Sequence, residues 1–275
     1  MTKELDSNWG DNPPPEVLVN FINVFAIVLN LGAINPNRGF IDQELYRIRI
    51  LIAQGKIQGI DGAHAALFKF RFLFQDLEIL IASKSIHLKK FIDKIVKSPM
   101  QQYYGVRLEI HIAASLTKKL IVYQCPDPPD FIINYKNVNI NLECTSRNLT
   151  VKKNKSDVIK GFKTAIQSKS SFAFVNTNSA LLIDCTNLAF HNGSLFWEDY
   201  GTTRDFLKKE IEKTEFGCVL TYSWVWNTSN DRYEAVYSRI DSDRISNELL
   251  DFLNIYYPLG KHMINKGDAN IPSIG

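Results

Sequence analysis

The chain has 275 residues, of which 45% are hydrophobic and 22% charged, an ordinary globular composition with enough apolar residues for one large domain or two small ones. Its formal net charge of +3 permits a DNA partner without signalling one. The four cysteines, Cys125, Cys144, Cys185 and Cys218, form no C-x-x-C pair, which argues against a structural zinc site and a disulfide scaffold and leads us to expect a reducing cytoplasm.

Residues 1–14 read as a polar tail without the basic-then-apolar pattern of a signal peptide. Val17 to Pro36 carries no charge, but four asparagines and a glycine interrupt it, so a buried helix is expected there rather than a membrane span. Apolar residues then recur at helical spacing in Val17–Leu31, Gln43–Gln54, Ala63–Ile81 and Ile86–Val96. Phe68, Phe70, Phe72 and Phe74 alternate as in a strand, yet their flanks favour a helix buried on several sides. Residues 1–98 are therefore expected to be a helical region, with no chemistry assigned.

Beyond Pro99 short strand patterns alternate with helical ones. Strands are expected at Leu120–Tyr123, Asp130–Tyr135, Val138–Thr145, Ala180–Thr186, Cys218–Trp226 and Tyr233–Ile240. Helices are expected at Tyr104–Lys119, Ser156–Ser168, Thr203–Lys213 and Asp243–Leu253. That order predicts an α/β domain with a mixed sheet over residues 99–275.

The densest information lies in one hairpin. In Val138–Thr145, Val138, Ile140, Leu142 and Cys144 share one face, and Asn139, Asn141, Glu143 and Thr145 share the other, as in a strand with one buried face. Lys136 and Asn137 suit a two-residue turn, which pairs Tyr135 with Val138 and sets Asp130 opposite Glu143. Two carboxylates so placed repel unless something compensates, and a divalent cation with oxygen ligands does so.

Pro129-Asp130, followed thirteen residues later by Glu143-Cys144-Thr145, resembles the motif of the PD-(D/E)xK, restriction-endonuclease-like nucleases. The order helix, three strands, helix, strand from Tyr104 to Thr186 is similar to their core. Glu109 fits the glutamate that many members carry on the first helix. The resemblance implies a restriction-endonuclease-like α/β fold and a Mg²⁺- or Mn²⁺-dependent nuclease. Glu109, Asp130 and Glu143 would hold the metal, and DNA would be the partner in restriction, repair or defence. A homodimer is a further implication, because double-strand cutters of this family often pair. Position 145, where the family has a lysine, is threonine. A substitute could come from Arg147, from Lys152, Lys153 or Lys155 in the following loop, or from Lys160 or Lys163 on the next helix, with Gln167 one turn beyond. Lys163 is the first choice. The alternative is a catalytically inactive module of the same fold that binds DNA or protein.

Other signals are weaker. Asp184 either flanks the metal site or bonds a neighbouring turn. The sequence carries no G-x-S-x-G elbow, phosphate loop or dinucleotide fingerprint. Trp224, Trp226, Tyr222, Tyr233 and Tyr237 crowd the last hairpin, where aromatic residues suit strands more readily than base stacking.

Overall fold

A computed structural model describes residues 13–59, 62–146, 155–186, 200–227, 232–259 and 269–270. These fall into two compact units, one within Met1–Leu120 and one within Ile121–Ser273.

The first unit is helical. Its elements are α1 (Pro15–Val28), α2 (Phe40–Ala53), α3 (Ala63–Ala82), α4 (Leu88–Lys97) and α5 (Met100–Lys118). Proline at the first helical position opens α1, where a missing N–H costs nothing. The phenylalanine-rich segment is helical because its flanks continue the period, and Phe70 and Phe74 meet Phe25 and Phe21 with ring centroids 5.5 Å apart. Asp42 in the first turn of α2 is fully buried, accepting from the Asn35 N–H and from two nitrogens of Arg38. α5, expected to open the α/β region, packs against α3 and α4 in this unit. No helix among the described residues is long and apolar enough to cross a membrane.

The second unit is a mixed sheet with flanking helices. Its elements are β1 (Phe131–Tyr135), β2 (Val138–Ser146), α6 (Lys155–Ser170), β3 (Ser179–Asp184), α7 (Tyr200–Ile211), β4 (Cys218–Asn227), β5 (Arg232–Asp241), α8 (Asn247–Tyr256) and the two-residue β6 (Ala269–Asn270). The strand order is β1-β2-β3-β4-β5, with β6 added to β4. β2, β3 and β4 are parallel, and β1 and β5 are antiparallel to their neighbours.

The β1–β2 hairpin turns on Lys136 and Asn137, both at positive φ (50° and 65°), the conformation that matches the twist of the flanking strands. Tyr135 pairs with Val138 and Phe131 with Leu142, the register that the alternation predicts. α6 and α7 cover one sheet face, where Phe162, Ala165, Ile166, Leu207 and Ile211 form a core with Leu181, Ile183 and Val219. α8 serves the other face, its Phe252 ring 5.5 Å from that of Tyr135.

Three expectations change. Leu120–Tyr123 forms no strand: Leu120 adopts a positive φ of 57° after α5, and only Gln124 bridges β1, at Ile132. The last helix starts at Asn247, not Asp243, because the Ser246 hydroxyl accepts from Leu249 N–H and caps it there. The polar face of β2 is not solvent-facing throughout, since Asn141 and Glu143 are buried along with Leu142 and Cys144.

Candidate active site

β2 carries the candidate chemistry. Register places Glu143 beside Leu181 of β3, and hence on the face covered by α6 and α7. The side chain is only 4% exposed. A carboxylate removed from water this far needs a partner. The partner is Lys169 in the last turn of α6, whose Nζ donates to Glu143 Oε1 at 2.6 Å. The Lys169 ammonium also lies 5.2 Å from the centre of the Phe172 ring, a second favourable interaction. Glu143 Oε2 is buried and accepts no hydrogen bond from the described residues. An unpartnered buried carboxylate oxygen costs about 1–3 kcal/mol or more, so a ligand that supplied the missing partner would gain by it.

Lys169 is not among the residues that the sequence singles out, yet a signal for it exists. Phe162, Ala165, Ile166 and Lys169 follow the spacing i, i+3, i+4, i+7, so the lysine extends the stripe that α6 lays on the sheet. Lys163 and Lys160 lie off that stripe and are exposed, and Gln167 is exposed as well. Of these three α6 lysines, the structure brings Lys169 to Glu143. Arg147, Lys152 and Lys153 lie outside the described residues, as does the side chain of Lys155. Thr145 is half-buried on the Glu143 face, beside Ile183.

Asp130 immediately precedes β1, one register step beyond the Phe131–Leu142 pair. Its Oδ2 accepts from the Cys144 N–H at 2.7 Å. The reason lies in the neighbouring backbone. The Pro129 carbonyl accepts from the Asp127 N–H, and the Asp130 carboxylate receives the β2 amide at the end of the ladder. Asp130 thus closes the hairpin just beyond its last paired residues, Phe131 and Leu142.

Glu109 belongs to the helical unit. It is buried on α5, and both of its carboxylate oxygens accept from Lys94 of α4, at 2.9 and 2.7 Å. Asp184 at the end of β3 takes the local role open to it, its Oδ1 accepting from the Thr186 N–H two residues on. Burial pushes the Cys185 thiol well up, helped by the Asp184 charge, and burial does the same for Cys218 beside Asp241. Both thiols are therefore packing groups and not nucleophiles.

Among the described residues no three His, Cys, Asp or Glu side chains gather as a metal-ligand cluster. The donors at β1–β2 are two carboxylates, hard oxygen ligands of the kind Mg²⁺ takes when water and substrate phosphate complete its shell. The unpartnered Glu143 Oε2 is the observation that fits such an ion. Comparison with protein-family models, with curated proteins and with solved structures finds no match to this chain.

Proposed function

We propose that the α/β unit is a divalent-metal-dependent nuclease that hydrolyses DNA phosphodiester bonds, with Asp130, Glu143 and Lys169 at its centre. The observation that supports it is the open Glu143–Lys169 pair: a buried carboxylate with one oxygen held by a lysine and the other unpartnered among the described residues, on the strand that also receives Asp130. Glu143 and Asp130 would hold Mg²⁺ or Mn²⁺, which when bound supplies an acidified water and neutralises charge developing on the phosphate. Lys169 fixes the orientation of the Glu143 carboxylate. Its ammonium, 25% exposed, also provides positive charge beside that carboxylate for a phosphate oxygen. This takes the place of the lysine that Thr145 lacks. In this reading Glu109, both of whose oxygens accept from Lys94, is left to the helical unit.

The test is plasmid cleavage in Mg²⁺ and Mn²⁺ by the full chain and by Glu143→Ala purified in parallel. Metal-dependent cleavage by the first and none by the second is expected. Equal cleavage by both rejects the reading.

A second reading draws on a separate observation. Asp130 and Glu143 each already bond within the chain, to Cys144 N–H and to Lys169, so both could serve structure alone in a catalytically inactive module that binds DNA or protein. That reading expects no cleavage with either ion and no calorimetric signal on Mg²⁺ or Mn²⁺ addition.

A further inference from the structure

The two helical coverings of the sheet differ in charge. α8 carries Glu248 and Asp251 and no basic residue. On α6 the described side chains from Ile159 to Ser170 include Lys160, Lys163 and Lys169 and no acid. Lys160 and Lys163 are exposed, and neither forms an ion pair among the described residues. Thr164, Gln167 and Ser168 are the other exposed residues described on that face. On α7, which packs beside α6, Arg204 and Lys209 are likewise exposed and unpaired among the described residues. Lys208 and Lys213, by contrast, are engaged by Glu212, Asp243 and Glu210. Asp205 is the one exposed acid between Thr203 and Ile211, and no described lysine pairs with it.

We infer that the outer face of α6 and α7 is a docking surface for the phosphate backbone of duplex DNA. Four such cations against one such acid complement a polyanion. Lys160, Lys163, Thr164 and Gln167 occupy one side of α6 over about 10 Å of helix rise, the length of roughly three base steps. The Gln167 amide is a usual partner of phosphate oxygens, whereas the Thr164 hydroxyl donates to the Lys160 carbonyl. No described apolar side chain is exposed on this face of α6, whereas a helix that lies on a membrane needs an apolar side to insert. The inference deepens the nuclease reading, since it names the surface along which the backbone reaches the unit that carries Lys169. It assigns Lys160 and Lys163 to binding and not to the chemistry.

The test measures binding without cleavage. A short fluorescein-labelled DNA duplex is titrated with the full chain in EDTA at several NaCl concentrations, and anisotropy is read. Wild type is compared with Lys160→Glu/Lys163→Glu, with Lys160→Gln/Lys163→Gln, and with Lys89→Glu/Lys97→Glu, an equal charge change at exposed helical-unit positions. The α6 charge reversal is expected to weaken binding at least tenfold. In both α6 variants the slope of log affinity against log salt should fall by about two, near 0.9 for each phosphate that is no longer neutralised. The Lys89/Lys97 variant is expected to bind within threefold of wild type. Absence of wild-type binding, equal weakening in all variants, or binding to phosphatidylserine vesicles in preference to DNA overturns the inference. Because the assay contains no metal, a chain that binds through α6 but never cleaves would reject the nuclease reading and leave the docking surface standing.

Discussion

Each unit of this chain holds a buried glutamate against a lysine, and the two pairs are finished differently. In the helical unit Lys94 donates to both oxygens of Glu109, and the pair is closed. In the α/β unit Lys169 donates to one oxygen of Glu143, and the other has no donor among the described residues. Burial alone therefore does not mark a functional carboxylate, because both glutamates are buried. Nor does an unpartnered oxygen alone, because Glu210 of α7 also gives one oxygen to a lysine, Lys213, and leaves the other without a donor among the described residues; Glu143 differs from both in lying on the strand that receives Asp130.

The largest effects come from breaking the two pairs. Lys94→Met strands the Glu109 charge and should destabilise the protein by about 2–3 kcal/mol, somewhat below the 3–5 of a fully buried pair because Lys94 is 30% exposed. Lys169→Met should cost a similar amount, since Lys169 is 25% exposed and Glu143 almost not at all. Urea denaturation measures both. The pairs then separate in their response to metal. Millimolar Mg²⁺ should restore part of the stability lost in Lys169→Met and none of that lost in Lys94→Met. An equal response in the two variants would erase the distinction.

Asp130 sharpens the comparison at smaller cost. Asp130→Asn keeps an oxygen for the Cys144 N–H, so stability should change by less than about 1 kcal/mol while cleavage is lost. Asp130→Ala loses both, with about 1–2 kcal/mol of destabilisation. If Asp130→Asn cleaves like wild type, Asp130 is only a hairpin clasp.

The smallest effect is a pH dependence at the opposite sheet face. Asp251 accepts from Lys136 and from the Tyr135 hydroxyl, and these bonds, Lys136 first, hold its carboxyl below the ordinary range. A depressed carboxylate contributes stability above its unfolded pKa and loses it as pH falls through the folded one. Asp251→Asn should therefore slightly lower stability at neutral pH, where the carboxylate contributes, and leave it unchanged in acid, so that the acid limb of the stability profile flattens. An unaltered acid limb would show that the clasp is too exposed to matter.

Much of this frame was legible in the residues. The alternation in Val138–Thr145 and the Lys136-Asn137 turn specify a hairpin register in which a one-residue slip would turn every side chain over, and that register forms. Helical periodicity locates α1 to α8 to within a few residues because long stripes constrain a helix better than its ends do. The failures have local causes. Leu120–Tyr123 is strand-like in composition, but the chain leaves α5 through a positive φ at Leu120 and only Gln124 finds a ladder partner. Alternation shows that Glu143 faces away from Leu142 but not that α6 buries it, because cover is a tertiary property. Lys169 is easily passed over because a lysine on an apolar stripe reads as a stripe boundary, when here it carries its charge to a buried acid. The Asp130–Cys144 bond depends on where the Pro129 carbonyl turns, which no side-chain pattern encodes.

The most direct measurement is metal-dependent plasmid nicking by wild type, by Lys169→Met, and by Lys169→Met combined with Thr145→Lys. Thr145 shares the face of Glu143, so a lysine there would offer its ammonium to the same carboxylate from the strand. Loss of nicking in the single variant, by about a hundredfold or more for a removed charge stabiliser, and partial recovery in the double variant are the expected results. Undiminished nicking by Lys169→Met would contradict the assignment of Lys169 and reduce the open pair to a structural ion pair.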